Sequence, residues 1–184
     1  MAADIAWWWR DFVFAWWILF PAYAANMFPT LARGRRPIDF GRNFSDGRRI
    51  FGDGKTWEGL SFGVFMGTLI GALEMALAPE LNAYAAGFGV TLPAMNLFVA
   101  FMIALGALVG DMAGSFLKRR MGMERGADAP LLDQLNFIVG ATVFAYFFTS
   151  ITPGMILFML VVTPAIHRAA CIIGYKLGVK KVPW

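Results

Sequence analysis

Five long apolar runs constrain this 184-residue chain more than any other feature of its sequence. A transmembrane helix needs about 20 mostly apolar residues, and each run reaches that length. The runs cover residues 8–31, 59–78, 96–117, 131–150 and 153–175. Their apolar residues are continuous rather than alternating with polar ones, which favours helices over membrane strands. The sequence therefore predicts an all-α, polytopic integral membrane protein, with five transmembrane helices in one membrane domain over residues 1–184.

The composition agrees with a membrane protein and excludes other classes. Hydrophobic residues make up 59% of the chain and charged residues 15%, whereas soluble domains have roughly 45–50% and 25%. The single cysteine, Cys171, excludes an internal disulfide framework. A net charge of +4 is compatible with nucleic-acid binding, but the basic loops carry no nucleic-acid motif. We therefore expect a bilayer, and no nucleic acid, as a partner.

The distribution of positive charge predicts the orientation of the five helices. Of the 16 Lys and Arg residues, 14 lie in the loops 32–58 and 118–130 or in the C-terminal tail. The alternate connections contain almost no charge, and basic segments stay on the cytoplasmic side of a membrane. This predicts a multi-pass protein of the cell membrane, with its N-terminus outside, its C-terminus in the cytoplasm and both basic loops facing the cytoplasm.

Glycines recur at every fourth position on two of the predicted helices. One row lies on the second helix and the other on the third, comprising Gly59, Gly63, Gly67 and Gly71, and Gly106, Gly110 and Gly114. Such rows give a helix a flat face that lets two backbones approach closely. They indicate either a tightly closed site between the second and third helices or ordinary helix packing.

Polar side chains lie at different depths in the membrane along one face of the third predicted helix. Asp111 lies about 10 Å deeper than Lys118 at 1.5 Å per residue, and an ionisable side chain at that depth is a candidate for function. Ser115, Lys118 and Arg119 follow at helical spacing on the same face. A carboxylate below two cations suits a metal-bound polyphosphate. The alternative is a carboxylate satisfied by a neighbouring helix, with interfacial cations above it.

A second carboxylate, Asp133, begins the fourth helix after a short loop. It can serve there simply as an acidic residue at the positive end of the helix dipole. Because the loop is short, we also expect Asp133 to return close to the end of the third helix. Two carboxylates near a lysine and an arginine would hold Mg²⁺ together with a nucleotide, since Mg²⁺ commonly uses one or two carboxylates plus phosphates and water.

The first basic loop ends in glycines and a Lys-Thr pair just before the second helix. The residues concerned are Gly52, Asp53, Gly54, Lys55, Thr56, Glu58 and Gly59. Backbone N–H groups, a lysine and a helix N-terminus form a general cradle for phosphate. The segment is not a Walker A loop, because Arg49 stands where that motif needs its first glycine. The alternative is a flexible basic surface loop.

These segments together resemble the archaeal CDP-archaeol synthases. The resemblance is carried by Pro-Ile-Asp-Phe-Gly at 37–41, by the stretch 46–59, by Gly-Asp at 110–111, and by Gly-Ser-Phe-Leu-Lys-Arg-Arg at 114–120. It continues through Ala-Pro-Leu-Leu-Asp-Gln-Leu at 129–135 and the tail 177–184, and so covers nearly the whole chain. Phosphatidate cytidylyltransferases are more distantly similar. They have a second Asp where this chain has Asn136, and their His-Gly-Gly is missing here.

The resemblance implies a Mg²⁺-dependent transfer of CMP from CTP to an isoprenoid ether lipid phosphate. The acceptor would be 2,3-di-geranylgeranyl-glycerol 1-phosphate, and the products CDP-archaeol and pyrophosphate. By the same resemblance, Asp111 and Asp133 would be catalytic metal ligands, and Lys118 and Arg119 catalytic cations. The triphosphate would lie near 52–56 and Ser115, the cytidine near 54–59, and the lipid tails between helices.

Two other functions remain open from the sequence. The stretch 54–59 also resembles polyprenol and phytol kinases, which use CTP and release CDP. Such a kinase needs a group that deprotonates an alcohol, and the Lys118, Arg119 and Asp133 set favours the cytidylyltransferase instead. A transporter or scaffold is the third possibility. Five helices do not divide into the equal halves common among transporters.

Overall fold

The computed structural model describes residues 2–183, with side chains from residue 9 onwards; Met1 and Trp184 lie outside the described residues. Over this part of the chain the regular elements are helices. They are α1 Ala2–Met27, α2 Trp57–Ala85, α3 Leu97–Arg120, α4 Leu132–Tyr146 and α5 Pro153–Lys176, with 3-10 turns at Phe28–Ala32 and Ala86–Phe88. The prediction of an all-helical protein is confirmed.

Polar caps mark where three of the helices begin. Thr56 accepts a hydrogen bond from the N–H of Gly59 at 3.2 Å and so starts α2. Asn96 starts α3 in the same way through the N–H of Val99, and Thr152 starts α5. Side-chain oxygens at these positions satisfy N–H groups that the helix itself leaves unpaired. The apolar runs therefore begin as helices where short polar residues precede them.

Four helical stretches of the described chain are long and apolar enough to cross a membrane. They are Trp9–Ala32, Trp57–Phe88, Leu97–Arg120 and Pro153–Lys176. The predicted span 131–150 contains α4, which ends after 15 residues at Tyr146. A helix of 15 residues is about 22 Å long, shorter than the ~30 Å hydrocarbon core. The five-span topology therefore stays a prediction, while the length and composition of the four long helices are consistent with a polytopic membrane protein.

Successive helices α1 to α4 run antiparallel, and α5 runs parallel to α1. Pro21 of α1 lies opposite Gly71 of α2, and Pro29, in the 3-10 turn after α1, lies opposite Gly63 and Gly59. The start of α5 meets the first half of α1, where the hydroxyl of Thr152 donates to Asp11 at 2.8 Å. This order collects both basic loops and the C-terminal tail at one end of the bundle. The ring of Phe148, just after α4, reaches Phe98 at the start of α3, 5.1 Å between centroids.

The two glycine rows contact different partners. On α2, Gly67 lies against α1 at Pro21 and against α3 at Ala104. The row on α3 faces α4 instead, where Gly106 and Gly110 lie against Gly140. Of the two interpretations of these rows, the structure supports ordinary helix packing over a closed site between the second and third helices. Both rows pack helices together, and the row on α3 holds α4 at backbone distance.

Candidate functional site

Lys55 from the first basic loop reaches Asp111 on α3. Its ammonium forms an ion pair with the Oδ2 atom of Asp111, and each side chain is 24% exposed. Lys55 precedes the cap of α2, and Asp111 lies nine residues before the end of α3. Since α2 and α3 are neighbours, the loop delivers its lysine directly onto the deep carboxylate. The structure thus joins two residues that the sequence placed in separate motifs.

Asp133 returns to the end of α3, as the short loop predicted, and binds Lys118. The Lys118 ammonium lies 2.8 Å from Oδ1 and 3.0 Å from Oδ2 of Asp133. The same ammonium donates to the carbonyl of Ala127 at 3.2 Å, and the Ala129 N–H donates to Asp133 at 3.1 Å. Lys118 is only 12% exposed. This pair therefore closes the second basic loop by fixing α4 to α3.

A small cavity of about 140 Å³ lies where the two loops meet α3. Its described lining carries four cations and no carboxylate, namely Lys55, Lys118, Arg119 and Arg125, with Ser115 and the glycines Gly52, Gly54 and Gly126 among the other residues. Asp111 and Asp133 do not line the cavity, but each forms an ion pair with one of its two lysines. The buried Nε atom of Arg119 has no hydrogen-bond partner among the described residues. A buried donor without an acceptor is costly, so the cavity is suited to an anion.

The first loop is organised around the buried carboxylate of Asp39, whose side chain is 0% exposed. Arg49 donates to both of its oxygens, at 2.7 and 3.3 Å. The N–H groups of Gly41, Phe51 and Gly52 donate at 3.1, 3.0 and 2.9 Å. Burial by itself would raise the pKa of Asp39, but these donors outweigh it and hold that pKa well below its usual range. Asp39 therefore fixes the turn that presents Lys55.

Replacing Asp39 with asparagine is expected to loosen this turn. The charged acceptor of five hydrogen bonds is lost, so the amides of Phe51 and Gly52 should exchange with solvent about tenfold faster or more. Hydrogen–deuterium exchange of the peptides covering 38–56 measures the effect. Asp46→Asn is the matched control, because Asp46 is in the same loop but pairs with Arg120 at 3.1 Å and accepts nothing from the amides of Phe51 and Gly52. Equal exchange in the two variants would contradict the role of Asp39.

The pH dependence of the same peptides tests the ionised form of Asp39. A carboxylate whose pKa is lowered by folding contributes stability above its unfolded pKa, and loses it as the pH falls through the folded pKa. The ordinary value is 3.8. After correction for intrinsic exchange rates, protection in the wild type should therefore hold down to about pH 4 and decline only below it. A decline between pH 5 and 7 would show that another group controls the turn.

Several predicted site residues are engaged in the loop itself. Thr56 caps α2, and Gly59 donates to that cap. Glu58 accepts from the backbone and the guanidinium of Arg36, at 3.2 and 2.8 Å. These three residues do not line the cavity. Asp53 is 60% exposed and pairs with Arg49 at 2.7 Å.

The N–H of Gly52 donates to Asp39, so this donor of the predicted phosphate cradle is used within the loop itself. The carbonyl of the same glycine accepts from the Lys55 N–H at 3.3 Å. Gly54 lies beside the guanidinium of Arg125, since a Cβ at Gly54 would stand 3.7 Å from its Nε. The sequence predicted a cradle of backbone N–H groups and one lysine. In the structure, the cavity is lined mainly by side-chain cations.

The two basic loops are joined by a reciprocal arginine contact. Arg48 of the first loop donates to the carbonyls of Arg119 and Arg120 at the end of α3. Arg120 in turn donates to the carbonyls of Arg48 and Arg49, the latter at 2.6 Å. Its guanidinium also lies over the rings of Phe44 and Phe116. A cation at the carbonyl end of a helix is favoured by the helix dipole. Sequence motifs gave no indication of this contact.

A larger pocket of about 390 Å³ lies at the opposite end of the bundle. It is lined by Arg10 and Phe14 of α1, by Pro93 and Ala94, and by residues around the start of α5. Its described lining carries one cation and no carboxylate. The smaller cavity has the denser set of charged groups, and we place the candidate site there.

Comparisons with known proteins match nearly the whole chain. A family model described as CarS-like, CDP-archaeol synthase, matches residues 10–184. A curated CDP-archaeol synthase of Pyrococcus horikoshii is 48% identical over 170 residues, covering 92% of this chain and 95% of the relative. The CDP-archaeol synthase of Methanosarcina mazei is 47% identical over 176 residues, covering 90% of this chain and all of the relative.

A solved structure is also similar in fold. It is described as an intramembrane enzyme for archaeal membrane lipids biosynthesis, and is 42% identical to this chain with a TM-score of 0.69. The similarity covers 86% of this chain and 92% of the solved one.

Proposed function

Because this chain belongs to the CarS-like family of CDP-archaeol synthases, we propose that it transfers CMP from CTP to an archaeal lipid phosphate. The acceptor is 2,3-di-geranylgeranyl-glycerol 1-phosphate, and the products are CDP-archaeol and pyrophosphate. The chain is thus a nucleotidyltransferase of archaeal membrane lipid synthesis. The observation that carries the proposal is the cavity at the end of α3, where four cations converge and two of them form ion pairs with carboxylates.

The excess of positive charge in this cavity supports binding of a polyphosphate. Lys55 and Lys118 each have a carboxylate partner, whereas Arg119 and Arg125 have none among the described ion pairs. A guanidinium presents a planar fork of donors that matches phosphate oxygens. We assign the triphosphate of CTP to these two arginines, with Lys118, Lys55 and Ser115 beside them, and the cytidine to the side of Gly54.

The residues present fit a magnesium ion when the nucleotide completes its coordination. The described residues contain no cluster of three Asp, Glu, His or Cys side chains that would hold a metal on its own. Mg²⁺ bound with a nucleotide needs only one or two carboxylates, the remaining ligands being phosphates and water. Asp111 and Asp133 would hold it, and the ion would supply charge neutralisation to the triphosphate.

The chemistry that remains for the protein is positioning and charge stabilisation. An oxygen of the lipid phosphate forms a bond to the α-phosphorus of CTP while the bond to the β-phosphate oxygen breaks and pyrophosphate leaves. The nucleophile is already an anion, so no side chain has to remove a proton. Arg119 and Lys118 stabilise negative charge on the transferring and leaving phosphates, and the rigid end of α3 holds them in line.

We also propose the membrane topology expected from the charge distribution. The fold collects both basic loops and the tail at one end of the bundle, which supports placing that end, with its cavity, in the cytoplasm where CTP is found. In this topology the chain crosses the membrane five times. Although α4 is short, Phe148, two residues after its end, reaches the first turn of α3, which supports a crossing by α4 and the turn after it.

Two positions of the radioactive label distinguish the proposed transfer from a kinase. Purified protein in detergent is incubated with Mg²⁺, geranylgeranylated glycerol phosphate and CTP labelled at either the α- or the γ-phosphate. The proposal expects the α-label in the lipid and the γ-label in pyrophosphate. A CTP-dependent polyprenol kinase would place the γ-label in a polyprenol offered in parallel and leave the α-label in CDP.

Reactions without lipid and with EDTA are the controls for this assay. Lack of transfer to geranylgeranylated glycerol phosphate, in a preparation that is folded by its thermal unfolding profile, would contradict the proposed function. Transfer that continues at full rate in EDTA would leave the transfer reaction standing and contradict the assignment of magnesium.

A further inference from the structure

The ion pair between Lys55 and Asp111 is unusual at a proposed metal site. The carboxylate assigned to the metal already holds a protein cation on its Oδ2 atom. The two partners come from different parts of the fold, because Lys55 belongs to the first basic loop and Asp111 to α3. Both side chains are only 24% exposed. Their attraction is therefore less screened by water than that of a surface pair.

Lys118 is held more firmly by Asp133 than Lys55 is by Asp111. The Lys118 ammonium contacts both carboxylate oxygens and a backbone carbonyl, and it closes the loop between α3 and α4. Within the described residues, the Lys55 ammonium contacts one oxygen of Asp111. Lys55 also follows a glycine, Gly54, in a loop rather than a helix. Of the two lysines, Lys55 is the one that can change partners without opening the fold.

We propose that Lys55 and the divalent metal ion compete for Asp111, and that the nucleotide resolves the competition. A divalent ion bound to the Asp111 carboxylate would lie close to the Lys55 ammonium on Oδ2, and two positive charges at that separation repel each other. The triphosphate offers Lys55 a new anionic partner inside the same cavity, and so frees Asp111 for the metal. Metal and nucleotide then bind with positive coupling, each strengthening the other. This inference rests on the proposed function.

The competition makes a prediction that does not depend on catalysis. Removing the Lys55 ammonium should strengthen metal binding in the absence of nucleotide. We expect Lys55→Met to bind Mn²⁺ about tenfold more tightly than the wild type, the change typical of losing one partly screened like-charge contact. Full-length protein in detergent is titrated with Mn²⁺, and free Mn²⁺ is counted by electron paramagnetic resonance.

Arg125→Met is the matched control for this titration. It removes one positive charge from the same cavity, but Arg125 has no carboxylate partner among the described ion pairs. A general loss of positive charge would strengthen Mn²⁺ binding in both variants alike, whereas the proposed competition predicts the large gain only for Lys55→Met. Lys55→Gln serves as a second variant if the methionine variant has an altered thermal unfolding profile. The double variant Lys55→Met with Asp111→Asn should lose the gain.

The outcomes separate this inference from the proposed function. Mn²⁺ binding in Lys55→Met and Lys55→Gln that is no tighter than in Arg125→Met would overturn the competition. A gain that survives the additional Asp111→Asn change would overturn Asp111 as its site. Either result would leave the proposed function standing if the wild type transfers the α-label of CTP to lipid. Absence of that transfer would instead refute the proposed function.

Discussion

Replacing Asp111 with asparagine is expected to lower the rate of CMP transfer by a factor of about a hundred to a thousand, the usual cost of losing one charged group that stabilises a transition state. The change keeps the shape of the side chain but removes the negative charge that would hold the metal. It also leaves the Lys55 ammonium without its ion-pair partner. Initial rates with α-labelled CTP and geranylgeranylated glycerol phosphate measure the effect.

Glu80→Gln is the matched control for this variant. It is the same carboxylate-to-amide change at an exposed position near the far end of α2. It should have the wild-type transfer rate, and both variants should keep the thermal unfolding profile of the wild type. Full activity of Asp111→Asn would refute the assignment of Asp111 as a metal ligand.

The contact between α3 and α4 predicts the largest effect on stability. A Cβ atom on Gly140 would overlap the carbonyl oxygen of Gly106 and stand only 2.7 Å from the Cα of Gly110. These are backbone atoms of a helix, so they cannot move aside as a flexible side chain would. Gly140→Ala should therefore lower the free energy of unfolding by about 2 kcal/mol or more. For a chain of this size that corresponds to about 4–8 °C in Tm.

Gly87→Ala adds the same methyl group at a place with room for it. Nothing lies within 4 Å of a Cβ built on Gly87, so its Tm should stay within about 1–2 °C of the wild type. The two variants are compared by thermal unfolding in the same detergent. Since Asp111 follows Gly110 directly, Gly140→Ala should also lower transfer activity. Equal Tm values for the two variants would show that α3 and α4 separate easily, contrary to the close contact described above.

The sequence predicted the parts of this fold that depend on local pattern. The apolar runs located the helices, and the spacing of Asp111, Ser115 and Lys118 placed these residues on one face of α3. The length of α4 was not predictable in this way. Apolar residues continue from Tyr146 to Phe148, yet α4 ends at Tyr146 and the chain turns towards Thr152, which donates to Asp11 in the first half of α1.

The partners within the candidate site also depend on tertiary structure. The glycine-rich neighbourhood of Lys55 predicts a phosphate ligand, and only the packing of α2 beside α3 brings this lysine to Asp111. The sequence indicates Asp39 only as part of a family motif, because a single aspartate in a loop has no spacing pattern that predicts its role. A buried carboxylate with five donors is recognisable only once the loop has folded around it.

The arginine contact between the two basic loops affects how relatives of this chain can be recombined. Arg48 and Arg120 each donate to the main-chain carbonyls of the other segment, so each loop depends on the backbone path of its partner. A loop taken alone from a relative would bring a backbone that does not match its new neighbour. The segments 33–56 and 118–131 therefore form one transplantable unit, and chimeric enzymes built to exchange lipid or nucleotide preference have to carry both.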